Sequence, residues 1–158
     1  MSVRLRTALE VRASAPQVWA RLTDWAGQRD WIPLTTVTVL TAHAAGLGVR
    51  ASALSGFQVG RVPVGLLDRF IVTGWTPPTG REAGSLEVLH LGPCFTGPGI
   101  FEVEPTGVDI SRVICTEVFE LPGGRPVEAA TRLLLPTMRV LLRSSLRKLG
   151  RLLEEESA

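Results

Sequence analysis

His43, His90 and the carboxylates are the side chains best suited to moving protons near neutral pH in this 158-residue chain, and the surroundings of His90 and Glu117 set those two apart. His90 follows Leu86 and Val88 at strand spacing and shares their face, although Leu89 and Leu91 make the opposite face equally apolar. Two roles stay open for it: a histidine satisfied by a backbone carbonyl, or a pocket hydrogen-bonder able to act as general acid or base. Glu117 shares a strand face with Val113, Cys115 and Phe119, while Arg112, Ile114, Thr116, Val118 and Glu120 occupy the other. An unpaired carboxylate is expensive to bury. Glu117 therefore reads as a rim group in water, as one half of an ion pair, or as an acid facing a ligand.

Other chemistries find little support. Cys94 and Cys115 belong to no C-x-x-C pair and are too few for a disulfide framework, so both are expected to be buried thiols. The histidines stand 47 residues apart, neither in a short ligand cluster, and no metal is expected. Gly46-Leu47-Gly48 lacks the flanking sequence of a phosphate loop, so no nucleotide or other cofactor is implied. No Gly-x-Ser-x-Gly elbow or Cys/His nucleophile motif is present. Seventeen basic and fifteen acidic residues leave a charge of +2, too small a bias to indicate nucleic acid. Arg139, Arg143, Arg147 and Arg151 form a row that reads as a solvated helix face, with a protein-interaction surface as its alternative. The amino terminus alternates rather than forming an apolar signal core, and no run approaches the ~20 apolar residues of a spanning helix. A cytoplasmic protein is expected; nothing in the sequence sets its oligomeric state.

The elements that must position these groups follow from periodicity. Val3, Leu5, Thr7, Leu9 and Val11 alternate with more polar residues, which predicts a strand. Ser14-Ala15-Pro16-Gln17 starts a helix in which Val18, Leu22 and Trp25 form one stripe, ending near Gly27, and residues 28–34 suit a second short helical turn. Strands are expected at 36–41, 49–54, 68–75, 86–91, 100–104 and 111–121. Gly/Pro clusters between them, including Gly92-Pro93 and Gly97-Pro98-Gly99, read as turns. Residues 56–66 are apolar but rich in Gly and Pro, and suit strand or loop equally. Leu135, Met138, Leu142, Leu146, Leu149 and Leu153 then recur at helical spacing, with Pro136 expected to start or kink a helix continuous over 137–155.

With 45% hydrophobic and 20% charged residues, the chain suits one domain over 1–158, an α+β arrangement with helices on one face of a curved antiparallel sheet. The ordered set Ser14-Ala15-Pro16-Gln17-Val18-Trp19, Trp25, Trp31-Ile32-Pro33, Gly46-Leu47-Gly48, Val72-Thr73-Gly74-Trp75-Thr76-Pro77-Pro78 and the last helix resembles the helix-grip (SRPBCC) superfamily. That superfamily includes START domains, Bet v 1-like proteins and bacterial polyketide cyclase/dehydrase-like proteins. The resemblance spans nearly the whole chain. It implies a cavity between the sheet and the carboxyl-terminal helix for a small, largely hydrophobic molecule of lipid, aromatic or polyketide type. Trp75, Phe101, Phe119, Met138 and Leu142 are then the expected walls, with His90 and Glu117 as polar anchors. The alternative is a cyclase or dehydrase using Glu117 or His90 as acid/base. Some relatives resemble a Trp-x-Glu pattern in the last strand, where this chain has Cys115 in the Trp position, and no universal catalytic motif carries over.

Overall fold

The computed structural model describes residues 2–157, apart from the side chains of Phe57, Gln58 and Pro63. The amino-terminal alternation becomes β1 (Ser2–Val11), whose Val3, Leu5 and Val11 are buried while Arg4 and Arg6 face water. Next comes α1 (Ala15–Thr23), where Gln17 Oε1 accepts from both the Ser14 backbone N–H and its hydroxyl, closing the first turn. The helix stops at Thr23, short of Gly27, and the chain continues as a 3-10 turn over Ala26–Asp30. Six strands follow: β2 (Thr35–Val39), β3 (Arg50–Val59), β4 (Val62–Thr76), β5 (Gly84–Pro93), β6 (Thr96–Gly107) and β7 (Ile110–Glu120). The last element is α2 (Gly124–Glu156).

All seven strands join one antiparallel sheet in the order β1-β7-β6-β5-β4-β3-β2. The first strand in sequence thus lies at one edge and the second at the other. Their connection must cross the sheet, and α1 with the 3-10 turn is that crossing. Its buried residues, Val18, Trp19, Leu22, Trp25 and Trp31, meet Phe70, Val72, Leu86, Val88, Val103 and Val113 in one core. Trp19 meets Trp75 edge-on at 5.3 Å, and Trp25 meets Phe70 at the same separation.

Three expectations change. Residues 56–66, open between strand and loop, form the distal half of the β3–β4 hairpin, with Gly56 directly opposite Gly65. A Cβ on Gly56 would collide with the Val64 carbonyl oxygen, so the backbones approach too closely there for any other residue. Gly97-Pro98-Gly99, expected as a turn, lies inside β6 and pairs with Val88-Leu89-His90 and Glu117 rather than reversing the chain. The last helix begins at Gly124 and runs through Pro136. Loss of the bond to Arg132 is tolerable because that side of the helix faces solvent, where water satisfies the carbonyl. Of the apolar stripe, Leu146, Leu149 and Leu153 are buried, and α2 packs against β1 and α1. Leu135, Met138 and Leu142 are only half-buried, and Leu133, Leu134, Val140 and Leu141 are exposed.

Candidate functional site

On β5 the ambiguity of faces is resolved: Leu86, Val88 and His90 are buried, Leu89 and Leu91 exposed. Between β5 and β7 runs β6, where Val88, Gly99 and Glu117 stand in line across three strands. Side chains on strands two apart are separated by about 9–10 Å of backbone, and an intervening side chain normally fills that gap. Here it is glycine. A Cβ at Gly99 would lie 2.7 Å from Glu117 Oε2 and 2.9 Å from His90 Nε2. The missing methyl lets imidazole and carboxylate meet over the strand, with His90 Nε2 donating to Glu117 Oε2 at 3.1 Å.

The other ring nitrogen faces β4, where Nδ1 donates to Asp68 Oδ2 at 2.7 Å. A register shift between Asp68 and Phe70 offsets Asp68 from the regular ladder opposite His90. His90, only 9% exposed, is therefore clamped between two carboxylates rather than satisfied by a backbone carbonyl. Burial alone would pull its pKa down, but hydrogen bonds and charge from Asp68 and Glu117 outweigh that and raise it from 6.5 to about 9. The ring is an imidazolium at neutral pH. Glu117 thus combines two of its open roles, ion-pair partner and cavity-facing acid. Cys115 donates its thiol to Glu117 Oε1 at 3.8 Å, and burial together with the Glu117 charge pushes that thiol well above its ordinary value. Cys94, expected to be buried, is half-exposed because it lies just past the end of β5.

Asp68, His90 and Glu117 form one side of a cavity of about 220 Å³. Trp25, Trp31, Phe70, Phe95 and Phe101 supply its aromatic walls, with Leu86 and Val88 between them and Gln28, Thr35 and Ser55 as further polar groups. Phe95 lies 4.9 Å from the His90 ring. Of the residues expected from sequence, His90, Phe101 and Glu117 line this space. Trp75 packs against Trp19 instead, and Phe119 sits behind Phe95 at 5.2 Å. Met138 and Leu142 do not line it, nor does any residue of α2. The cavity lies between the sheet and the α1/3-10 crossing, not between the sheet and α2. That follows from the topology, since the crossing carries Trp25 and Trp31 over the inner face, with Trp25 Nε1 fixed to the Ala44 carbonyl at 2.8 Å. Sequence reasoning missed Asp68, Phe70 and Phe95, and took Trp25 as a packing residue. The available signal was an aspartate beginning an apolar strand. Among the described residues no group of three or more His, Cys, Asp and Glu is arranged to hold a metal ion, and no helix is long and apolar enough to cross a membrane.

No protein-family model and no curated protein matches the sequence. Solved structures do match. A protein from Thermus thermophilus is 16% identical, with a TM-score of 0.73 over 99% of this chain and 100% of the other. The Zhui aromatase/cyclase from Streptomyces sp. R1128 is 16% identical, with a TM-score of 0.69 over 100% and 97%. A START superfamily protein from Mycobacterium smegmatis is 16% identical, with a TM-score of 0.62 over 97% and 95%. The curved seven-stranded sheet and long terminal helix are thus the helix-grip α+β fold that these structures share.

Proposed function

We propose that the chain binds a compact, mostly apolar molecule carrying one ring, with its polar end on Glu117 and its body against Phe101 and the neighbouring aromatic residues. The observation that carries this is a 220 Å³ aromatic-walled cavity with a single ionisable cluster at one side. A cavity of about 150 Å³ already holds benzene, whereas sites for drug-sized ligands start near ~300 Å³. Lipids, sterols and long polyketide chains would need the cavity to enlarge. The unpaired thiols Cys94 and Cys115 support a cytoplasmic setting for this binding.

Trp25 and Trp31 line the cavity and report on its contents, so the test is titration of tryptophan emission with single-ring alcohols and phenols, with a sterol and a long-chain fatty acid as size controls. Saturable change with the small ring compounds alone is the expected result. Saturation by none of them overturns the proposal.

A second reading, proton-transfer catalysis, is favoured by the Asp68–His90–Glu117 chain, which is more than an anchoring hydrogen bond requires. The Glu117 carboxylate would take a proton from the bound molecule and return it at another position, the His90 imidazolium would stay protonated and donate to that carboxylate, and Asp68 would hold the ring in position. One structural neighbour carries the name aromatase/cyclase, and cyclisation is accordingly the first reaction to try. Such acid/base assistance is worth about 10²–10⁴-fold. Turnover lost in Glu117→Gln while binding persists would establish it; equal turnover in wild type and variant would exclude Glu117 from the chemistry.

A further inference from the structure

We propose that the cavity selects ligands whose polar end is a protonated nitrogen and rejects carboxylates of the same size. This rests on the binding assignment above and narrows its ligand class. Counted formally, two carboxylates face one imidazole, and no Arg or Lys lines the cavity among the described residues. The cluster keeps a net negative charge even with the ring protonated.

Hydrogen-bond bookkeeping points the same way. An incoming anion needs donors, and most of those here are committed, the buried and unpartnered Trp31 indole N–H being the exception. Both His90 nitrogens serve Asp68 and Glu117. Gln28 Nε2 donates to the Leu22 carbonyl at 3.2 Å, and Trp25 Nε1 donates to Ala44. The Thr35 and Ser55 hydroxyls bond each other at 3.0 Å. Acceptor capacity, by contrast, is in surplus. A carboxylate offers about four lone-pair sites, and Glu117 receives only His90 and the weak Cys115 thiol. The aromatic walls add to the preference, because ring faces attract cations and repel anions. A protonated amine near Glu117 would neutralise the cluster, whereas a carboxylate there would bring a third negative group to a cluster with no Arg or Lys to offset it.

Benzylamine, benzyl alcohol and benzoate share a ring and differ in charge at the polar end, and the test compares their dissociation constants at pH 7 by calorimetry and tryptophan emission. Benzylamine is expected to bind about tenfold or more tighter than benzyl alcohol, with benzoate failing to saturate. Glu117→Gln should weaken the amine far more than the alcohol and bring the two to within about threefold of each other. Alcohol binding equal to or tighter than amine binding overturns the charge preference while leaving the cavity assignment intact. Failure of all three compounds overturns both. An undiminished amine advantage in folded Glu117→Gln also overturns the proposal, and should that variant not fold, the wild-type series decides alone.

Discussion

His90 holds its proton only while the fold holds two carboxylates against it, which ties its charge state to stability. Its folded pKa of about 9 lies above the ordinary 6.5. For a raised pKa the stabilising contribution is complete below the unfolded value and is lost as pH climbs through the folded one. Between pH 6.5 and 9 the wild type should therefore lose on the order of 3 kcal/mol relative to His90→Gln, read as urea-unfolding free energies. Parallel curves for the two proteins would show that the ring is not charged in the fold. Gly99→Ala tests the geometry that makes the pairing possible. The added methyl meets the far ends of both the Glu117 and the His90 side chains; Glu117 can swing aside and the ring must give slightly, so the fold should survive while His90 loses one partner. The imidazole titration midpoint, followed by NMR, should drop by a unit or more, on the order of the hydrogen-bonding and charge contribution of one carboxylate. An unchanged midpoint would mean that Glu117 contributes nothing to it. His90 and Glu117 were legible as ionisable residues in apolar strands. Asp68 was not, because only the β4–β5 register brings an aspartate 22 residues away onto the ring. Gly99 reads as a turn residue until the strands on both sides are known.

Among the elements, the β3–β4 hairpin brings Ser55 and Leu66, paired with each other next to the Gly56/Gly65 contact, to the cavity. Because a Cβ at Gly56 would strike backbone rather than a movable side chain, Gly56→Ala must separate the strands. Overpacking of this kind costs about 1–3 kcal/mol, and ligand affinity should fall with it. Amide exchange accelerating across residues 50–70 ahead of the rest of the sheet is the expected signature; uniform exchange would place the strain elsewhere. The opposite outcome is expected in α2, where Pro136→Ala restores the missing bond to Arg132 and removes a ring from a helix interior. Helicity should rise, and stability should gain up to about 3 kcal/mol, reduced to the extent that the exposed first half of the helix already frays from the core. The sequence marked seven strand regions and two helices because alternation and helical spacing are local. It left 56–66 open, and it misjudged Gly97-Pro98-Gly99 and the start of α2, where Gly and Pro were taken as breaks. Pairing across strands and solvent on one helix face decided those segments.

For the molecule as a whole, placing β1 and β2 at opposite edges makes the α1/3-10 crossing the cover of the inner face, and the cavity is the part of that interface left unfilled. The sequence cannot show this, since it depends on which strands pair rather than on what each contains; an expectation centred on α2 therefore put the walls at Met138 and Leu142. A space kept open at the core is a stability cost that ligand binding can offset, so filling it should separate folding from function. Ala53 lines the cavity from β3, directly across the ladder from Asp68, and is half-buried with room beside it. Ala53→Leu adds three carbons that enter the void without displacing backbone. Cavity filling of this type commonly stabilises by about 0.5–2 kcal/mol, seen as a higher urea midpoint at unchanged slope. The same side chain takes space that a single-ring ligand needs, so benzyl alcohol should bind at least about tenfold more weakly. A more stable protein that no longer binds would locate the ligand under the crossing. A more stable protein with undiminished affinity would place the ligand elsewhere, and the surface between the sheet and α2 would become the region to search.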